Sequence, residues 1–102
     1  MVVRWDGSAE GDAFEPLQAL LAGIHDQLVA SRARDVIADL GGLEFATSSC
    51  LKAFATWLAR VQDLAASDRY TIRFRTNPKY SWQARSLPAL QAFAGEVMQI
   101  TS

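Results

Sequence analysis

Short apolar runs alternate along this chain with longer stripes of apolar residues spaced three and four apart. Residues 2–5 form a brief apolar piece broken by Asp6-Gly7-Ser8, a turn signal, and predict an edge strand or a strand end. Phe14, Leu17, Leu20, Leu21, Ile24 and Leu28 then recur with the helical period. That spacing predicts an amphipathic helix over residues 13–31, with Asp12 as its N-cap and Pro16 tolerated in its first turn. Residues 35–40 are β-branched at their centre and ended by Gly41-Gly42, as expected of a buried strand. Leu51, Phe54, Leu58, Val61 and Ala65, widened by Trp57 and Leu64, mark a second helix over residues 48–66. Residues 70–75 alternate apolar and polar, the signature of a strand with one dry face, and Asn77-Pro78 ends them. Leu87, Leu90 and Phe93 or Ala94 predict a short third helix, with Ser86 near its cap, Pro88 in its first turn and Gly95 as its stop. Residues 97–100 read as a last strand.

The resulting order, βαβαβαβ, predicts an α/β fold with about four strands in a mostly parallel or mixed sheet and three helices joined by right-handed crossovers. The polar face of residues 70–75 implies that one side of the sheet is less covered there. With 102 residues the chain has room for one core, so residues 1–102 are read as a single domain.

Composition removes several function classes. No apolar run approaches the ~20 residues of a membrane-spanning helix. Residues 1–6 lack a charged segment followed by an apolar one, so no secretory signal is read there and a cytoplasmic location is expected. Cys50 is the only cysteine and His25 the only histidine. Neither an internal disulfide nor a cysteine-based zinc site can be assembled, and most catalytic triads are unavailable. A net charge of −1 argues against a general nucleic-acid or membrane-surface binder. The charge is nonetheless uneven. Acids dominate the first half, whereas Arg69, Arg73, Arg75, Lys79 and Arg85 fall in a stretch without acids. Such asymmetry either steers a partner or marks a solvated strand face.

The most informative stretch is Asp35-Val-Ile-Ala-Asp-Leu-Gly-Gly-Leu-Glu-Phe-Ala-Thr-Ser-Ser-Cys-Leu-Lys-Ala-Phe54. It resembles the centre of STAS domains, the family of anti-sigma-factor antagonists. There a buried strand ending in Asp-Leu leads through an apolar residue and Phe to Asp-Ser-Ser/Thr-Gly-Leu and a helix. Asp39-Leu40 corresponds to the strand end, Leu43 and Phe45 to the apolar pair, Ser48-Ser49 to the serines and Leu51 to the first buried helix position. The run from Asn77 to Leu87 likewise resembles small bacterial STAS-like regulators. In the family, the second serine is phosphorylated by a partner kinase and dephosphorylated by a phosphatase. The unmodified form binds its target and the phosphoform releases it. The resemblance therefore implies Ser49 as the phosphoacceptor and a protein partner, either an anti-sigma-type serine kinase or another signalling protein. Two positions depart from the family: Thr47 stands where Asp is usual, and Cys50 where Gly is. Three hydroxyls thus adjoin, and Ser48 and Thr47 are alternative acceptors.

Helix physics accommodates a switch at this place. The first backbone N–H groups of a helix lack intrahelical partners, and the dipole favours negative charge there. A phosphate would be tolerated locally while adding nearly two negative charges to a docking surface. The simpler reading is that Ser48 or Ser49 only caps the helix.

The expected partner surface comprises Thr47, Ser48, Ser49 and Lys52, together with Tyr80 and Trp82. The last two are read as lying in an aromatic and basic loop with Lys79 and Arg85. Trp82 has an equally plain reading, as an anchor of that loop on the core. Cys50 is expected to pack as a small apolar residue and His25 to be satisfied or solvent-facing. Asp35 and Asp39 share a strand face and are expected at strand ends. Neither catalytic residues, metal nor cofactor are expected. The rival functional reading is a constitutive STAS-like subunit of a larger complex, such as a transporter assembly.

Overall fold

A computed structural model describes residues 1–9 and 14–101 of the chain. The apolar stripes form helices and the short runs form strands: β1 (Val2–Ala9), α1 (Phe14–Ser31), β2 (Asp35–Ala46), α2 (Ser48–Gln62), β3 (Thr71–Arg75), α3 (Ser81–Ala94) and β4 (Met98–Thr101). This is the predicted βαβαβαβ order. The four strands make one sheet in the order β1-β2-β3-β4, and every pairing is parallel. Asp12 and the first residue of the predicted opening helix lie outside the described residues.

When each strand lies beside its predecessor, right-handed crossovers place all the connecting helices on the same side. The burial pattern follows. Val36, Ala38, Leu40, Ile72, Phe74 and Met98 are buried beneath the helices, with Val3, Trp5 and Ile100 packed at the margins. The alternate positions, Arg4, Asp6, Asp35, Arg73, Arg75, Gln99 and Thr101, are exposed on the opposite face. Parallel sheets usually have both faces covered; this one has a single layer of helices.

The open face is mostly polar, with Val2 and Ile37 as apolar neighbours in register, and it carries ion pairs. Arg4 Nε meets Asp6 Oδ1 at 3.0 Å, Arg73 meets Asp35 at 3.7 Å and Arg75 meets Asp39 at 3.7 Å. The run of basic residues that stands apart in sequence is thereby distributed. Arg73 and Arg75 face acids on the neighbouring strand, while Arg69 donates to the Leu64 and Gln62 carbonyl oxygens beyond the end of α2.

Three expectations are corrected. Gly41-Gly42 do not end β2, which runs on to Ala46. Gly42 lies so close to β1 that a β-carbon there would collide with the Asp6 carboxylate and crowd the Trp5 carbonyl oxygen; the pair allows close approach rather than a turn. Asp6-Gly7-Ser8 does not break β1 either. The strand absorbs it as register shifts between Arg4 and Asp6 and between Gly7 and Ser8, with Gly7 at φ 87°. Third, α3 begins at Ser81, so Pro88 lies inside the helix rather than in its first turn. A proline there removes one helical hydrogen bond, and Pro88 is exposed on the solvent side of α3.

The early start of α3 follows from β2. Beyond Asp39, β2 has no pairing with β3, whose ladder ends at the Asp39–Arg75 pair. Its carbonyls on that side need donors, and α3 supplies them. The Gln83 Nε2 group donates to the Leu40 and Leu43 oxygens at 2.7 and 3.1 Å, and Trp82 Nε1 donates to the Leu43 oxygen at 3.0 Å. Asn77 Nδ2 reaches the Gly41 oxygen at 3.0 Å, and the Asn77 backbone N–H donates back to Gln83 Oε1 at 2.7 Å. Gln83 is 1% exposed and wholly satisfied.

Replacing Gln83 by Leu leaves the Leu40 oxygen and the Asn77 N–H without these partners. A loss of about 2–4 kcal/mol is expected from two stranded buried groups. It should appear as a lowered urea midpoint, whereas Arg85→Leu on the exposed side of the same helix should stay within about 0.5 kcal/mol.

Candidate functional site

The predicted site residues gather at the carboxyl end of the sheet. Thr47 joins β2 to α2, and Ser48, Ser49 and Lys52 lie in the first turns of α2. The Thr47 backbone is extended (φ −73°, ψ 164°), and its hydroxyl accepts from the Cys50 N–H at 3.3 Å. Thr47, rather than either serine, is therefore the N-cap, and both serine side chains are exposed. Cys50 and Leu51 turn into the domain, Cys50 fully buried and Leu51 packed against the core. The first turn of α2 holds no acidic residue.

The segment between β3 and α3 forms the other side of this rim. Asn77 Oδ1 accepts from the Lys79 N–H at 3.0 Å, and the Tyr80 N–H donates to the Asn77 carbonyl at 3.0 Å, closing the turn around Pro78. Tyr80 is the N-cap residue of α3 without a capping side-chain hydrogen bond, and the Lys79 ammonium lies 5.9 Å from its ring centroid. Trp82 is not in a loop. It stands in the first turn of α3, is 5% exposed, and its indole N–H is committed to β2. Its side chain is thus an internal anchor and does not line the rim; a bulky indole in reach of an unpaired buried carbonyl is more stable inside. Arg85 is exposed further along α3.

Three residues at the rim were not read from the sequence as site residues. Phe45, near the end of β2, is 48% exposed beside exposed Glu44, an apolar surface next to the serines. Asn77 and Gln83 hold the β2 end in place. Gln83 had a legible signal: it falls in phase with Leu87, Leu90 and Ala94 on the buried stripe of α3, and a polar residue on a buried stripe must find partners.

Strand order also bears on chemistry. Open α/β sheets form ligand crevices where the strand order reverses, and this sheet has no reversal. Among the described residues, no three of His, Cys, Asp and Glu come together to hold a metal, and no helix is long and apolar enough to cross a membrane. The rim offers exposed hydroxyls at Ser48 and Ser49. No family model, curated protein or solved structure matches the chain.

Thr47→Ala removes the cap of α2 and should lower stability by about 1 kcal/mol. Thr47→Asp supplies a carboxylate cap at the same position and should preserve it. Ser49→Ala, which removes an exposed hydroxyl, should leave the urea midpoint within about 0.5 kcal/mol of the parent.

Proposed function

We propose that the protein is a STAS-like, non-catalytic regulator that binds a protein partner through the β2–α2 rim, with phosphorylation of Ser49 opposing the contact. The observation that carries this reading is the division of labour at the start of α2. Thr47 caps the helix, which leaves the Ser48 and Ser49 hydroxyls exposed and not needed as the cap. A residue whose hydroxyl is structurally idle can be modified without unfolding the turn.

The physics of the switch is local. A phosphate on Ser49 meets unpaired N–H groups and the positive end of the α2 dipole, so the domain tolerates it. A partner packed on the same surface instead meets a strongly hydrated dianion beside Phe45, and loses a desolvated contact worth about 2–5 kcal/mol. Lys52, one turn further, and half-buried Tyr80 belong to the surface on this reading; Ser48 and Thr47 are the alternative acceptors. Phosphorylation of Thr47 would also remove the α2 cap, so that site predicts a loss of stability that Ser49 does not. A serine kinase of the anti-sigma type, reversed by a phosphatase, is the partner chemistry the motif suggests.

A second reading, a constitutive subunit of a larger assembly, is favoured by the uncharged cap Thr47 at the position where the family carries Asp.

Affinity capture from the native host, using wild type, Ser49→Ala and Ser49→Asp as baits, separates the two. The switch predicts a partner retained by Ser49→Ala and weakened roughly thirtyfold or more by Ser49→Asp. Identical partners on all three baits would overturn the switch in favour of the constitutive subunit.

A further inference from the structure

Away from the rim, three buried polar side chains from three elements form one hydrogen-bonded chain. Trp57 of α2 places Nε1 2.7 Å from the Tyr70 hydroxyl, which immediately precedes β3, and that hydroxyl lies 2.7 Å from Nδ1 of His25 in α1. Trp57 is 1%, Tyr70 2% and His25 9% exposed. An indole N–H can only donate, so the tyrosine oxygen accepts from Trp57. Among the described residues the Tyr70 hydroxyl meets one acceptor, His25 Nδ1. Donation of the single phenolic hydrogen to it corresponds to a neutral imidazole with its proton on Nε2.

We propose that this chain is a proton-sensitive clasp, in which protonation of His25 loosens the attachment of α1 to α2 and β3. A proton on Nδ1 turns it from acceptor to donor. The Tyr70 oxygen would then face two donors, and its own hydrogen would have to find another acceptor inside the core. An imidazolium would also be held largely away from water. The charged groups around His25 act in both directions: Arg60 on α2 opposes its protonation, and Asp26 on α1 favours it. Burial is the larger cause, and the net effect lowers the His25 pKa from its ordinary value of 6.5. Tyr70 is pushed up to about 12, chiefly by burial, so it stays protonated and remains a donor throughout the relevant range.

Because the folded state takes up this proton less readily than the unfolded chain, the clasp contributes its full stability above about pH 6.5. That contribution falls as pH drops from there toward the depressed pKa of the folded state. Within the window the folding equilibrium constant should fall by up to about tenfold per pH unit, the limit set by one proton.

The test is urea unfolding of wild type and His25→Asn at a series of pH values between about 5 and 8, where the Asn side-chain oxygen can take the place of Nδ1 without titrating. The wild type should lose more stability toward pH 5 than the variant, the carboxylates being common to both. Equal slopes would overturn the clasp. Nitrogen-15 NMR of the wild-type imidazole supplies a measurement that needs no variant. A neutral ring protonated on Nε2, titrating below 6.5 together with the Tyr70 ring signals, supports the clasp. A proton on Nδ1 at neutral pH, or titration at or above the ordinary value, overturns it.

Discussion

The carboxyl half of β2 outruns its neighbour β3, and that mismatch has to be resolved before anything else at this end of the molecule can be ordered. A strand with one unpaired edge beneath a helical layer has buried carbonyls in need of donors. Here the donors are side chains: the Gln83 carboxamide, the Trp82 indole and the Asn77 amide. Gln83 does the most, since one planar group accepts from the backbone of the β3–α3 turn and donates to two carbonyls of β2. The start of α3, the turn after β3 and the approach to α2 are therefore one hydrogen-bonded unit. The Thr47–Ser49 turn, a few residues further along the chain, is presented from that rigid base.

The one-sided sheet is the second constraint. Sequential parallel strands put α1, α2 and α3 in a single layer and leave the opposite face to water. That face is made acceptable by ion pairs within β1 and between β2 and β3 rather than by a covering element. Exposed pairs of this kind contribute little stability individually, but they keep the face charged around the neighbouring Val2 and Ile37. The strand order has no reversal at which a crevice would form. At the rim, exposed serine hydroxyls and an exposed phenylalanine lie within a few residues of the α2 N-terminus.

Helix α2 connects the two polar features of the domain. Its first turn carries the idle serines, and about two turns later Trp57 begins the buried chain to Tyr70 and His25. One helix is thus fastened at its start by a threonine cap and along its length by the Trp57–Tyr70 hydrogen bond, whose acceptor oxygen also meets His25. The two fastenings differ in kind. The first is at the surface, where charge is cheaply hydrated; the second is in the core, where an unmatched donor or charge is costly.

The periodicities alone determined the element order, the first two helices and the single dry face of β3, because burial on one side imposes a period of 3.6 or 2 on any sequence that folds this way; the second helix, read over residues 48–66, ends at Gln62. The Thr-Ser-Ser run at the start of α2 was legible for the same reason, since it abuts the first apolar helix positions. What the chain order concealed was decided by contacts between residues distant in sequence. Gly41-Gly42 resemble a stop, yet β2 continues through them, with Asp6 and the β1 backbone lying against Gly42. Pro88 resembles a start, yet falls mid-helix because Trp82 and Gln83 are held by β2 some 40 residues earlier. Arg73 and Arg75 resemble part of a basic patch, yet are matched by Asp35 and Asp39 once parallel pairing sets the register. His25 resembles an incidental helix residue until the fold brings Tyr70 to it. Local spacing encodes which face of an element is dry; only the packed structure decides which polar groups meet, because hydrogen-bond and charge partners are chosen by proximity in space.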